Sequence, residues 1–298
     1  MTAPAAPVAR ERSAPVAGAG PGRRTRRVIV YALLIGYGLL MLVPFAWSVS
    51  TSFKTLPDVN DVSFIPDPVT LDAWRYAWET LDPPIPRLFL NSIILSVAVM
   101  VTNLILASIA GYAFARLRFP GREALFIVVL ATLMIPDQLR LVPIYVLFNG
   151  LGLTRGDLQY VAVVLVLAVS ATSVFLMRQA FLSMPVELEE AARIDGAGFF
   201  TTFRKVMLPL AGPALAAVAI LQFQGTWNSF FWPLILMRDR ENWPLPLGLV
   251  QFRLAGGFAT NWPPLMAAVV MATIPIVVLY LFFQRYFVQG VAASGVKG

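Results

Sequence analysis

The chain has neither histidine nor cysteine in its 298 residues. Disulfides, thiol nucleophiles, zinc sites of the usual kind and histidine general bases are therefore excluded. Charge is also scarce. Charged residues make up 13% of the chain, whereas soluble domains carry about a quarter. Lysine occurs only at Lys54, Lys205 and Lys297, and there is no G-x-x-x-x-G-K-[ST] motif. The sequence thus carries no phosphate-binding loop of its own. Its arginines are scattered among short segments rather than gathered on a soluble face, which argues against nucleic acid as a partner.

What is abundant is apolar. Hydrophobic residues make up 58% of the chain and the mean hydropathy is +0.73. Uncharged runs occupy 28–53, 88–115, 158–177, 206–237 and 254–284, and each exceeds or matches the roughly 20 residues of a spanning helix. A sixth run starts at Ala124 and is interrupted by Asp137 and Arg140, with Pro136 and Pro143 beside them. A charge at the bilayer centre costs about 2.5–3.5 kcal/mol. The crossing is therefore expected to end near Pro136, with 141–149 lying along the outer interface. The expectation is an all-α membrane protein with six transmembrane helices over 28–289, a disordered basic tail over 1–27 and a C-terminal tail over 290–298.

Orientation follows from the basic residues. With the N-terminus inside, the inner segments hold 15 lysines and arginines and the outer ones hold 8. Both termini and the segment 183–210 are then cytoplasmic. The outer loop 54–87 contains "DAWRYAWE", a short helix candidate. In the outer loop 238–261, Pro244, Pro246, Gly256 and Gly257 predict turns rather than a regular element.

The segment "SMPVELEEAARIDGAGFFTTFRKVMLPL" is a hydrophilic island between long apolar runs. Pro185 suits a first helical turn, where its missing N–H costs nothing. Glu187, Glu189 and Glu190 fall at the positive end of the helix dipole. Ala191 and Ala192 give a small, smooth face, and Asp195-Gly196 stops the helix. A helix that rests on lipid headgroups is usually basic. An acidic one with small residues fits a docking surface for another protein.

These residues resemble the EAA loop of binding-protein-dependent ABC importer permeases. Glu190, Ala191, Ala192, Gly196, Leu208 and Pro209 stand in that family's arrangement. "VPFAWSVSTSFKT", "YAFARLRFPG", "MIPDQLRLVPIYVLFNGLGL", "WNSFFWPLIL" and the terminal "FQRYFVQGVAASGVKG" extend the likeness to carbohydrate-type permeases, and the tail is similar to the second, maltose-type permease of a pair. Ser229, where relatives more often have an acid, departs from the pattern. So does Gly198 followed by two phenylalanines.

The resemblance implies the type I ABC importer permease fold in a bacterial cytoplasmic membrane. It implies a heterodimer with a second permease, two ATPase subunits carrying ATP and magnesium, and an extracytoplasmic sugar-binding protein or lipoprotein. This chain would bind no cofactor and would not be an enzyme. Glu189, Glu190, Ala191, Ala192, Asp195, Gly196, Ala197, Leu208 and Pro209 would couple to the ATPases. Pro246, Gly248, Gly256 and Gly257 would lie in the loop that contacts the binding protein. Among polar residues inside apolar runs, Asn103, Gln222 and Asn228, with Trp227 as a stacking face, are candidates for a sugar path. The plainer account is helix–helix hydrogen bonding, worth about 0.6 kcal/mol each on average.

Other classes fit less well. Asp137 and Arg140 at a membrane edge invite an enzyme, but an intramembrane aspartyl protease needs paired aspartates within spans. A secondary transporter usually has ionisable residues in its spans, and the five long runs have none. Importers of glycerol phosphate, polyols or amino acids share the EAA loop and remain alternatives for the substrate.

Overall fold

The structure, a computed structural model, describes residues 21–295 apart from 56, 61, 62, 81 and 256–260. Among the described residues it is helical, with no strand. The chain divides after Trp47 into two compact units. The first holds most of helix α1 (Pro21–Thr51), whose large apolar side chains from Val28 to Phe45 are exposed. Residues 21–27 of the expected basic tail are helical, and the rest of it lies outside the described residues. Pro21 occupies the start of the helix, where its fixed φ is already helical. The arginines that follow are good helix formers.

The second unit is organised by α3 (Ile85–Arg116), 32 residues without an interior proline. At 1.5 Å per residue it is about 48 Å long, more than a bilayer core of about 30 Å requires. Its buried stripe holds Leu88, Asn91, Ser92, Leu95, Ser96, Val99, Asn103, Ala107, Ser108, Gly111 and Tyr112, at the three-to-four spacing of one helix face. The opposite face shows Leu90, Ile93, Ile94, Val97, Val101, Ile105 and Ile109. Large aliphatics thus face outward and small or polar residues inward, the arrangement that membrane helices use to pack closely. At Gly111 the approach to α7 (Ala171–Leu182) is so tight that an added Cβ would lie 2.6 Å from Met177 Cβ and 2.9 Å from the Arg178 nitrogen.

Three long helices are continuous and apolar enough to cross a membrane: α1, α3 and α14 (Trp262–Gly295). Three more crossings are bent pairs. In the first, α4 (Arg122–Ala131) and a 3-10 turn give way to α5 (Asp137–Gly150) at 98°. In the second, α6 (Leu158–Leu167) meets α7 at 52°. In the third, the segment Phe199–Leu210 meets α11 (Gly212–Trp227) at 77°. Counted so, the chain has the expected six crossings. The interrupted run breaks at Pro136 as its composition predicts, but the helix resumes at Asp137 rather than 141. The run 206–237 is not one helix. Gly212-Pro213 opens α11, and residues 228–230 separate it from the short α12 (Phe231–Leu236).

The expected short helix in the 54–87 loop is α2 (Asp72–Thr80), with Ala73 and Ala77 buried. The 238–261 loop is more regular than predicted, because Pro244 and Pro246 lead into α13 (Leu245–Ala255), where the first turn tolerates proline. This loop is tied down by its backbone. Asn91 Nδ2 donates to the carbonyls of Glu241 (2.7 Å) and Trp243 (2.9 Å), and the Leu245 N–H donates to Ser92 Oγ (2.7 Å). Asp239 accepts from the Gly156 N–H at 2.9 Å, while its own N–H donates to Gln159 Oε1 at 3.1 Å. At the C-terminus, α14 runs through Gly295, so residues 290–295 of the expected tail are helical.

Candidate functional site

Two places bring polar chemistry together. The first is the hydrophilic segment 183–210. Helix α8 (Glu187–Ile194) begins two residues after Pro185, with Glu187, Glu189 and Glu190 in its first turn. At its end Gly196 has φ +79°, a conformation that only glycine adopts without cost. This lets the Ala197 N–H return to the Ala192 carbonyl at 2.9 Å, closing the last turn. The helix has two distinct faces. Glu189 and Ala192 are buried, whereas Glu187, Glu190, Ala191, Arg193 and Ile194 are exposed, Ile194 at 87%. Asp195 and Pro209 are exposed, and Ala197 and Leu208 are half-buried.

The buried face rests on the end of α3. Arg116 Nε lies 3.4 Å from Glu189 Oε1, with side chains 9% and 7% exposed. Its guanidinium also donates to the carbonyls of Phe181 (2.7 Å) and Met184 (2.5 Å). Tyr112, one turn earlier, packs against Phe181, Phe199 and Phe203 at 5.0–5.3 Å. A second cation supports the same end. Arg178 donates to both oxygens of Glu123 at 3.0 Å and sits 4.1 Å from the centre of the Phe126 ring. The acids predicted as one docking set therefore divide. Glu190 faces out, and Glu189 anchors the helix from beneath.

The second place is a cavity of about 530 Å³. Its wall comes from the breaks in the bent helices: Thr132–Arg140 between α4 and α5, Val166–Ala171 between α6 and α7, and Leu221–Trp232 at the end of α11. Broken helices leave backbone groups that hydrocarbon cannot satisfy, so at membrane depth they are tolerated where protein or a polar cavity serves them. Asp137 and Arg140 form an ion pair one turn apart at the start of α5. The Arg140 guanidinium lies 5.9 Å from the centre of the Trp232 ring. Thr132, Ser170, Gln222, Thr226 and Ser229 complete the polar lining.

Of the residues singled out for a sugar path, only Gln222 reaches this cavity, where its Nε2 also donates to Ser173 Oγ at 3.0 Å. Trp227 offers no stacking face. It is 2% exposed, its Nε1 donates to the Ala272 carbonyl at 3.1 Å, and its ring stacks on Phe223 at 5.8 Å. Phe89 on α3 meets it edge-on at 5.7 Å, and it sits inside a buried apolar cluster, so it is a core residue. Asn228 is exposed and caps α11 through the Gln224 carbonyl at 3.0 Å, outside the cavity lining. Asn103 is fully buried on α3, and its amide has no hydrogen-bond partner among the described residues. In the 238–261 loop Pro246 is half-buried. Gly248 is buried where an added Cβ would meet the Leu88 side chain at 2.3 Å, so it packs α13 onto α3 and presents no surface. Gly256 and Gly257 lie outside the described residues.

The cavity residues Ser170, Ser229 and Trp232 were not singled out for this site from sequence. Asp137 and Arg140 did carry a signal, as the charges that interrupt an otherwise apolar run beside a proline.

Comparisons with known proteins agree with this fold. The family described as "Binding-protein-dependent transport system inner membrane component" matches residues 103–293. The chain is similar to an arabinooligosaccharides transport system permease protein of Halalkalibacterium halodurans, at 37% identity over 93% of this chain and 99% of that one. It is similar to a diacetylchitobiose uptake system permease protein of Streptomyces coelicolor, at 36% identity over 86% of this chain and 84% of that one. A chain in the crystal structure of a bacterial ABC transporter involved in import of the acidic polysaccharide alginate superposes with a TM-score of 0.77. It has 28% identity, covering 90% of this chain and 99% of that chain.

Proposed function

The chain belongs to the family of binding-protein-dependent transport system inner membrane components, and from that premise we propose that it is the membrane-spanning permease subunit of an ATP-driven sugar importer. The observation that carries the coupling half of this reading is the two-faced helix α8. Its inner face is anchored by an ion pair to a long spanning helix, and its outer face offers Glu187, Glu190 and Ile194. A short acidic helix fixed to a span can convert the movement of a docked partner into movement of that span.

The partners that follow are a second permease completing the pathway, two ATPases on the cytoplasmic side receiving α8, and an external sugar-binding protein engaging the 238–261 side. ATP and magnesium belong to the ATPases. Their closure moves the docked α8, and α3 and α7 move with it, exchanging inward for outward access. The binding protein drives this only if it grips one state more tightly than the other.

Tagging the chain at its N-terminus and purifying it from native membranes tests the reading. Co-purification of a second permease, an ATPase and a sugar-binding protein, with ATP-dependent sugar uptake by the reconstituted complex, is expected. Glu190→Lys in that complex is expected to leave the permease pair assembled and to uncouple ATP hydrolysis from uptake. A chain that purifies alone and moves solute without ATP would overturn the proposal.

A further inference from the structure

We propose that the turn between α3 and α4, with the outer side of α4, binds one anionic phospholipid, its phosphate held by Arg118 and Arg122 and its acyl chains laid along Leu125 and Val128. This goes beyond the importer reading and rests only on the chain's place in a membrane.

The turn forms an open depression of about 730 Å³ lined by residues 118–124. Arg118 is exposed, and its guanidinium makes no hydrogen bond or ion pair among the described residues. Arg122 is already positioned. Its Nη1 donates to the Leu117 carbonyl at 3.1 Å, its Nη2 lies 2.9 Å from Glu123 Oε1, and its side chain is still 31% exposed. Gly121, at φ +79°, turns the chain between the two arginines, and Phe119 packs on Phe114 at 6.2 Å. A headgroup therefore meets a turn that is ordered beforehand, which lowers the cost of binding.

Charge selects the headgroup. Arg118, Arg122 and Arg178 surround a single acid, Glu123, which Arg122 and Arg178 share. Three guanidiniums less one carboxylate leave two positive charges. Arg116 adds none, because Glu189 pairs with it. A zwitterionic headgroup brings its own cation and gains little here. Phosphatidylglycerol or cardiolipin brings an uncompensated phosphate, which a guanidinium can meet with two parallel N–H bonds.

The apolar half follows from helix spacing. Leu125 and Val128 follow Arg122 at three-residue steps, which places all three on one side of α4. Leu125 is 52% exposed and Val128 62%. Phe126, by contrast, is buried beneath the Arg178 guanidinium at 4.1 Å. From Arg122 to Val128 the stripe runs about 9 Å, along the first stretch of a membrane crossing. A free phosphate would use the arginines and leave the stripe bare, whereas a phospholipid uses both. The place of the stripe on a crossing favours lipid over a soluble protein segment.

The test uses the whole complex recovered through this chain and stripped of lipid in detergent. It is titrated with dioleoyl phosphatidylglycerol or dioleoyl phosphatidylcholine, and native mass spectrometry resolves each lipid adduct. Phosphatidylglycerol is expected to bind first and more tightly. Arg118→Gln is expected to weaken its binding about fivefold, the loss of one basic contact at a lipid headgroup, and to leave phosphatidylcholine unchanged. Arg118→Lys should keep most of the affinity. Arg155→Gln removes another exposed arginine and should change nothing. Leu125→Ser/Val128→Ser should weaken phosphatidylglycerol binding at least threefold, and millimolar inorganic phosphate should not displace the lipid.

Phosphatidylglycerol binding unchanged in Arg118→Gln, an equal loss in Arg155→Gln, or displacement of the lipid by inorganic phosphate would each overturn the site. So would loss of a co-purifying subunit in Arg118→Gln with lipid binding intact, which would mark the turn as a protein contact. None of these outcomes touches the importer reading, which ATP-dependent uptake decides.

Discussion

Arg116→Met should release the 183–210 segment from the rest of the chain. At 3.4 Å, the attraction between Arg116 and Glu189 is about 5 kcal/mol at an effective dielectric of 20. Desolvating both groups offsets much of that, so the intact pair is near break-even. Removing one partner is different. It strands a carboxylate that is 7% exposed, and such losses run to about 3–5 kcal/mol. The carbonyls of Phe181 and Met184 also lose their donor, though water can reach them once the segment lifts. The amides of α8 should therefore exchange hydrogen about a hundredfold faster or more, since each 1.4 kcal/mol is a factor of ten. Hydrogen exchange with mass spectrometry on the purified complex reads this directly. The double variant Arg116→Met/Glu189→Leu should recover most of the protection, because apolar replacement of a buried pair is often neutral. Wild-type exchange in the single variant, or a double variant worse than the single one, would refute the reasoning.

Other substitutions test separate contacts. Gly111→Leu forces a side chain into the backbone of α7 and should cost about 1–3 kcal/mol or more, seen as a lower melting temperature in detergent. Gly196→Val places a β-branched residue at φ +79°, costing about 1–2 kcal/mol; it should loosen the end of α8 and lower coupled ATP hydrolysis without lowering complex yield. Trp227→Ala should destabilise by about 3–5 kcal/mol, as for a large core deletion, and reduce the yield of folded complex. A Trp227→Ala protein that folds normally and changes only its sugar preference would contradict the core assignment.

Some of this was legible in the sequence for clear physical reasons. The number of crossings follows from uncharged length, and the break at Pro136 follows from the two charges beside it. The turn at Gly196 follows from Asp-Gly after a helical segment. Directions were less legible. An uncharged run has a length but no phase, so 206–237 gave no sign that it breaks at Gly212 and again at 228–230. In the same way α3 is apolar on both sides, and its packing face is marked by small and polar residues rather than by amphipathy. Glu189 and Glu190 are chemically identical neighbours, and only the position of Arg116, 73 residues before Glu189, decides which one is buried. The cavity escaped because its wall is assembled from segments almost a hundred residues apart. Trp227 looked functional because an indole in an apolar run can stack on a sugar or on Phe223 equally well.

One helix carries the fittings for two separate segments of the second unit. Arg116 holds the α8 segment, and Asn91 and Ser92 hold the strap at 241–245. The 25 residue steps from Asn91 to Arg116 correspond to about 38 Å of unbroken helix. Such a shaft resists compression and bending far more than the jointed helices around it. A pull on one fitting is therefore felt at the other as a tilt or a slide of the same rod.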